Sequence, residues 1–469
     1  MREPRIEEFH TSLEPDAVYG ALAGREVIFL DSAREGELGR FSIIGLHPFQ
    51  RLQVREGRVL LEDAQGNASV LGGDVFQELQ KLLEMHPLEP VEGLPLAGGA
   101  LGYFAYDLSG EMEQGLPPSR SLVEIPQAYW VFYDNLVVMD RREKRTWLTA
   151  MGVLADPAES IDGIGKILKA REAGKSGEGK EWTEGGGTFT SPFTPEAYME
   201  AVDRMRSYIL DGHIYIGNLT HTFRGSYAGD PFAAYRRLRS FNSAPFGAFL
   251  PLEGFAVLSS SPERFLEIRQ GRVETRPIKG TRPRGRTPGE DQENRKALEE
   301  SGKDRSELLM IVDLERNDLS KVCRPGSVEV KDLFTIESYA TVHHLVAGVT
   351  GLLEEGKSPL DCVRACFPGG SITGAPKRRA MEIIAELERH QRGLYTGCIG
   401  YLGFDGSVDL NIAIRTILLK DGQAYLGVGG GVTWESDPAA EYQETLDKAA
   451  ALFKTLEAKE EEPHVDHQR

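Results

Sequence analysis

Unbroken apolar runs and helical stripes alternate along this chain. Val27–Leu30 is continuously apolar and Tyr129–Met139 is apolar or aromatic apart from Asp134-Asn135, which predicts buried strands. Leu96–Tyr106 is apolar and glycine-rich, which predicts a tightly packed core strand or bend. Val257–Ile268, the pair Gln270-Gly271 and Arg272–Ile278 predict a hairpin. With a two-residue turn its partners sum to 270 + 271 = 541, so Glu263 faces Ile278 and Lys279 lies one position on. A bulge would shift that register by one. Helices announce themselves by caps and stripes. Thr194 caps and Pro195 opens a helix with Tyr198, Val202, Met205 and Ile209 on its apolar side, ended by Gly212. Lys303–Asp313 is amphipathic and runs into Arg316-Asn317-Asp318. Pro376 precedes a stripe of Ala380, Ile383, Ile384 and Leu387. Asp437 caps a last helix, opened by Pro438, with Tyr442, Leu446, Ala449 and Phe453 on its apolar side. The first third mixes strands with short helices. Ala170–Gly187, rich in Lys, Glu and Gly, is the natural linker. The expected organisation is an N-terminal region at 1–168, a linker or excursion at 169–189, a catalytic domain at 190–456 and a charged tail at 457–469. The sequence shows no internal repeat.

Composition narrows the partners. Of 469 residues, 54 are Lys or Arg and 72 are Asp or Glu, so the net charge is 54 − 72 = −18. Nucleic-acid backbones and anionic membranes are disfavoured, and an anionic small substrate needs a local positive site. The 4 cysteines show no zinc spacing, and buried free thiols in a reducing compartment are expected. No apolar stretch is long enough for a signal core or a membrane span, so a cytoplasmic protein is expected.

Candidate chemistry gathers after the linker. Lys279, in Pro277-Ile278-Lys279-Gly280-Thr281, is one amine in an otherwise apolar segment. It is either a solvated surface lysine or a nucleophile or base. Glu263 beside it either exchanges protons or forms a strand-end ion pair. Glu307 on one helix, and Glu441, Glu444 and Lys448 at i, i+3 and i+7 on another, make two acidic faces. Such faces are usually solvated; carboxylates from two helices also suit Mg²⁺, which takes a few carboxylates plus substrate and water. Gly370–Lys377 is a small-residue loop at a helix start, able to receive a carboxylate on its amides or to serve as a plain cap. Arg415 is a lone charge in what reads as a buried strand, and needs an internal acid or a ligand carboxylate. Gly427–Gly431 offers a second backbone approach, and His343-His344 reads first as packed histidine. Gly351–Ser358 matches the phosphate-loop pattern but would set Glu354 and Glu355 against a triphosphate. A turn at Gly356, a cap at Ser358 and a first-turn Pro359 explain it better.

Ser260–Phe265, the Lys279 segment, Asp313–Asp318, Thr341–His344, Gly370–Lys377, Ile412–Thr416 and Glu441–Lys448, in that order, resemble the chorismate-utilising enzymes. Gly39–Ser42 and Gly102–Phe104 extend the resemblance more weakly. Within that family the chain looks like the component I branch that forms 4-amino-4-deoxychorismate; the alternative is the anthranilate-forming branch, which typically carries alanine where this chain has Lys279. The resemblance implies an α+β fold of two stacked antiparallel sheets with helices outside. It implies Lys279 as nucleophile at C2 of chorismate and Glu263 as the acid for the C4 hydroxyl. It implies Mg²⁺ on Glu307 and Glu444, with Glu441 beside them. Thr281, His344, Ser371, Thr373, Gly374, Ala375, Lys377, Tyr395, Arg415, Gly430, Gly431 and Lys448 complete the expected substrate-binding set. Ammonia is expected from a separate glutamine amidotransferase subunit, since no matching cysteine and histidine blocks stand in this sequence. The family's hydration branch uses a lysine where this chain has Ile216. Ile216-Gly217 also departs from the Gln-Val of many ammonia-using relatives. Phe29-Leu30-Asp31-Ser32 resembles only in part a motif with which some relatives bind tryptophan.

Overall fold

The structure, a computed structural model, describes residues 4–33, 38–112, 116, 120–174, 186–339, 342–457 and 459–460. Much of the expected linker and nearly all of the charged tail lie outside them.

One strand pair sets the layout. Phe41–Arg55 and Ala128–Asp140 run antiparallel, and every residue of the second is buried. A strand covered on both faces has no solvent side, which explains an apolar run interrupted only at Asp134-Asn135 before it ends at Asp140. The register slips between Pro48 and Gln50. Pro48 has no N–H to give, and the bulge bends the strand there.

Two arms leave the two halves of this pair. In the first, Phe29–Asp31 lies beside Ile43 and Ile44 and leads through Phe246–Leu252, Phe255–Ser261, Thr416–Lys420 and Gln423–Val432 to Ile216–Tyr227. In the second, Gly99–Phe104 lies beside Ala128–Tyr133 and leads through Cys398–Gly403, Val408–Ile412, Arg264–Arg269 and Arg272–Arg276 to Val342–Leu352. The pairings are antiparallel apart from Lys459–Glu460 on Gly186–Thr190. Tyr103, Val131 and Ile399 of the second arm pack with Leu250, Val257 and Leu418 of the first in one buried cluster. The arms are therefore stacked, as expected for an α+β sandwich. Helices cover both outer faces. Val75–Glu84, Gly302–Ser320 and Pro359–Cys366 pack on one. Pro15–Leu22, Pro157–Glu172, Pro231–Phe241 and Pro438–Leu456 pack on the other. The two sheets are continuous through the central pair, so the described strands form one network of 23.

The chain changes sheets twice at one place. Phe255–Ser261 belongs to the first arm and Arg264–Arg269 to the second, so the expected Val257–Ile268 strand is two strands parted at Pro262-Glu263. Val408–Ile412 and Thr416–Lys420 cross back at Ala413-Ile414-Arg415. Arg415 is thus not in a strand. Its φ is +52°, left-handed backbone that a strand cannot hold. The crossings are tied together: Ser260 N donates to the Arg415 carbonyl (3.1 Å), Ile412 N to the Glu263 carbonyl (3.0 Å), and Ser261 Oγ to the Ile412 carbonyl (2.6 Å).

The caps fall as the sequence predicts. Thr194, Asp437 and Ser358 each accept a hydrogen bond from the first turn of their helix. Ser358 forms a capping box with Asp361 before Pro359, and Gly356 has a φ of +81°, which explains the phosphate-loop look-alike. Among the described residues no helix is long and apolar enough to cross a membrane.

Ser261→Ala leaves the fully buried Ile412 carbonyl without this donor. It should cost about 1–2 kcal/mol, read as a lower urea midpoint at unchanged slope. An unchanged midpoint would show that this bond does not hold the crossings.

Candidate active site

The crossings end in a cleft of about 510 Å³. Glu263 enters it from the first crossing. The expected sum of 541 holds at Arg269–Arg272 and Glu267–Glu274, but Arg264 pairs Arg276, a sum of 540. The intervening bulge therefore sets Glu263 opposite Pro277 instead of Ile278. Pro277 also interrupts the expected Arg272–Ile278 strand. The freed Ile278 N–H and the Ser371 hydroxyl hydrogen-bond the Glu263 carboxylate. Burial raises the pKa of Glu263; Ser371, Lys279 and the Ile278 N–H pull it partly back.

Lys279 lies on Ile278–Pro283, paired with Val342–Leu352, where the register slips between Lys279 and Thr281. The extra residue is Gly280, with φ +74°. A methyl carbon there would lie 2.7 Å from Leu298 and 2.8 Å from Asp304, so the neighbouring helices approach the strand at its glycine. The Lys279 amine nitrogen donates to the Ser371 carbonyl at 3.1 Å. Ser371 sits in the turn Gly370–Ile372.

Carboxylates converge from two helices. Glu307 and Glu441 are 8% and 4% exposed, so neither is on a solvated face. Burial raises both pKa values. Glu444 is half exposed; its partial burial pushes its pKa up, but Lys448 at 2.6 Å, with Lys303 and Lys279, leaves it lowered overall. Lys303 bridges the helices, 3.9 Å from Glu307 and 3.7 Å from Glu441. Gly430 and Gly431 run between these groups. A methyl carbon on Gly430 would lie 3.3 Å from Glu441 and 3.5 Å from Glu444; one on Gly431 would lie 3.6 Å from Lys279 Nζ and 3.8 Å from Glu307. Among the described residues no three Asp, Glu, His or Cys side chains are grouped so that they could hold a metal ion by themselves. Oxygen donors that repel one another, each tempered by a lysine, fit an open Mg²⁺ site completed by substrate and water.

Arg415 reaches the cleft from the second crossing. Burial lowers its pKa, Tyr395 and Glu444 counter it, and Nη1 donates to the Lys448 carbonyl at 2.6 Å. Thr281 and His344 are joined, hydroxyl to Nδ1, at 2.9 Å. The cleft is thus lined by Glu263, Lys279, Thr281, Glu307, His344, Ser371, Tyr395, Arg415, Gly431, Glu444 and Lys448. Six expected residues do not line it. Glu441 and Gly430 lie just behind. Thr373 bonds back to the Gly369 carbonyl, and Gly374–Ala375 is a two-residue strand paired with Ile216–Gly217. Lys377 is turned to Asp318 (2.6 Å) and the Cys366 carbonyl. Sequence reasoning missed Lys303, Asn218, Asn242, Ser243 and Ser260, all of which line the cleft. Lys303 stands one helical turn before Glu307, a readable signal; Asn242 and Ser243 merely follow a helix, and carry none. A separate cavity of about 390 Å³, lined by Leu30, Asp31, Ser32 and Phe246, holds the end of the Phe29–Ser32 motif but none of these reactive groups.

Beneath the Ser371 turn lies Glu315, buried and accepting from Thr275 Oγ1 at 3.0 Å. A methyl carbon on Gly370 would sit 3.4 Å from its Cγ. Burial pushes its pKa up to about 8, helped by Glu263 and Asp318.

A family profile described as chorismate binding enzyme matches residues 25–454. The chain is similar to aminodeoxychorismate synthase component 1 of Bacillus subtilis (strain 168), with 36% identity over 93% of each chain. It is similar to anthranilate synthase component 1 of Geobacillus stearothermophilus, with 35% identity over 96% of this chain and 92% of the other. In structure it is similar to anthranilate synthase component I from Streptococcus pneumoniae TIGR4, with a TM-score of 0.77 and 28% identity over 96% of this chain and 98% of that one. Relatives named aminodeoxychorismate synthase or its component 1 share 36–42% identity with this chain, and those named anthranilate synthase component 1 share 34–35%.

Glu315 generates a stability prediction. Its folded pKa of about 8 lies above the ordinary 4.5. Folding therefore takes up a proton between those values, and stability falls as pH rises through that window. Glu315→Gln cannot titrate. It should melt above the wild type by about 1–3 °C at pH 9 and within error of it at pH 4. Equal melting at both pH values would reject a buried neutral Glu315.

Proposed function

The chain belongs to the chorismate-binding enzyme family, and on that premise we propose that it aminates chorismate at C4 to 4-amino-4-deoxychorismate. The observation that carries this reading is Lys279. Its amine enters the cleft beside Glu263, with Glu307 across Gly431. An enzyme adding ammonia directly to the ring needs no second amine there.

The residues divide the work. Arg415 and Lys448 hold the anionic substrate in a protein of net charge −18, with Thr281 and His344 on the wall. The small side of Gly431 leaves room for a carboxylate against the strand. Lys279 Nζ forms a bond to C2 as the ring double bonds shift and the C4–O bond breaks. Glu263, its pKa raised by burial, gives a proton to the departing oxygen, which leaves as water. Ammonia then bonds to C4, the double bonds shift back, and the C2–N bond to Lys279 breaks. One proton returns to Glu263, and the enolpyruvyl group is retained. Glu307 and Glu444, with Glu441 behind them, would hold Mg²⁺, which supplies charge for the ring carboxylate. Ammonia would come from a glutamine amidotransferase subunit, a reading supported by the name component 1 in the similar protein. A cytoplasmic place, and a role in making para-aminobenzoate and folate, follow from the same reading.

Chorismate, Mg²⁺ and ammonium should yield a product that mass spectrometry identifies as aminodeoxychorismate. Fluorescent anthranilate would favour the other branch. Lys279→Ala should lose most turnover while still binding chorismate; wild-type turnover would reject the nucleophile. Glu263→Gln should slow the reaction by about 10²–10⁴-fold. Glu263 acts as an acid, so the wild-type rate should fall as pH rises through its raised pKa, and that limb should be missing from the residual activity of the variant. Arg415→Lys should raise the chorismate KM about tenfold or more with little loss of melting temperature.

The metal reading has its own test. Glu307→Gln and Glu444→Gln should each abolish turnover in a folded chain, and excess chelator should do the same to the wild type. Full turnover in chelator would end it.

A further inference from the structure

Glu263 is placed by a bulge, and a side chain holds that bulge. Arg264–Arg269 slips against both of its neighbours, between Arg264 and Glu267 on one side and between Arg264 and Leu266 on the other. Phe265 stands inside both slips, two residues after Glu263. A bulged residue is left out of the regular ladder, and its polar groups need other partners. The Phe265 carbonyl accepts from Thr275 Oγ1 at 2.9 Å.

That hydroxyl is shared. Thr275 Oγ1 also lies 3.0 Å from Glu315 Oε2. A threonine hydroxyl has one hydrogen, and a carbonyl only accepts. As a carboxylate Glu315 only accepts as well, so it competes with Phe265 for that hydrogen. As the neutral acid it gives its own hydrogen to Thr275 Oγ1 and leaves the threonine hydrogen to Phe265. Phe265, Thr275 and Glu315 are all buried, so bulk water does not make up a missing donor. The charges facing Glu315 favour the neutral form. Glu263 faces it from the first crossing and Asp318 from its own helix. The cation facing it is Lys377, which opens the helix Lys377–Glu388 and is already bonded to Asp318 and to the Cys366 carbonyl. Above Glu315 is the turn whose Ser371 hydroxyl bonds Glu263 and whose Ser371 carbonyl accepts from Lys279.

We propose that Glu315 is a positioning residue for the amination, a neutral donor to Thr275 that leaves Thr275 free to hold the Phe265 carbonyl and so keeps the bulge that presents Glu263 to the cleft. The inference rests on the amination reading and adds a second proton to it. Glu263 needs one to give away; Glu315 needs one to keep Glu263 in place.

Glu315→Gln carries an amide donor at every pH and tests the second proton directly. Chorismate, Mg²⁺ and free ammonia are held saturating at each pH, and circular dichroism checks that each protein is folded at the assay temperature. The kcat of the variant should match the wild type within about threefold at pH 7 and exceed it about tenfold at pH 9, where about one wild-type molecule in ten keeps a proton of pKa about 8. A ratio that is the same at both pH values overturns the positioning role. Thr275→Val removes the shared hydroxyl. It should lower kcat about tenfold or more with the chorismate KM within about twofold, and Thr275→Ser should restore it. In the Thr275→Val background Glu315→Gln should lose its advantage at pH 9. An advantage that persists there shows Glu315 acting on Glu263 by charge alone, and overturns the route through Thr275. A wild type that makes no aminodeoxychorismate rejects the amination reading instead. The infrared band of a protonated carboxyl, present in the wild type at pH 7 and lost in Glu315→Gln, then decides the neutral Glu315 by itself, and its absence overturns it.

Discussion

The two places where the chain leaves one sheet for the other are bonded to each other, and the cleft depends on that bond set. Ser260, Ser261, Glu263, Ile412 and Arg415 share three hydrogen bonds across the crossings. A strand that changes sheets must abandon its ladder, and its backbone groups then need new partners. Here each crossing satisfies the other. The acid and the arginine are therefore delivered to one end of the sandwich by main-chain geometry, before any side-chain packing is considered. Moving either crossing by one residue would turn Glu263 or Arg415 out of the cleft.

Around that frame the charges are balanced locally against the whole. The protein is acidic, yet Lys279, Lys303, Arg415 and Lys448 meet in the cleft with Glu263, Glu307 and Glu444. Burial raises the pKa of Glu263 and Glu307, and the lysines restrain it. The lysines lower what burial raises, and the carboxylates offset the mutual repulsion of the four cations. The compromise leaves carboxylates and cations side by side in one cleft, each restraining the charge of the other.

The fold class was legible in the sequence because caps and apolar runs are local. Thr194, Ser358 and Asp437 fall where their side chains predict. What local pattern could not supply was the path between strands. Val257–Ile268 reads as one strand because apolar pairs, Val257-Leu258 and Phe265-Leu266, flank its polar middle; Pro262 hints at the crossing. Arg415 reads as a strand residue for the same reason, although its φ is +52°. Eleven of the expected site residues line the cleft because their motifs lie on elements that converge there. Gly374, Ala375 and Lys377 sit in the same motif as Ser371 but face elsewhere, since a two-residue strand and an ion pair with Asp318 turn the chain away. Lys303 was overlooked because a lysine one turn from a glutamate usually means a solvated pair, and nothing in the sequence says that Glu307 is buried.

The continuity of the two arms bears on how the molecule is made. Gly99–Phe104 finds its neighbour in Cys398–Gly403, about 300 residues later, and Ile216–Tyr227 waits for Gln423–Val432. At a ribosome adding about 5–20 residues per second, the first of these edges stays open for about 15–60 s. An open edge beside strands this apolar is a template for pairing with another chain. The early part of the chain must therefore emerge as a half-built sandwich, and its exposed edges during synthesis call for a holding chaperone or for rapid translation of the final third.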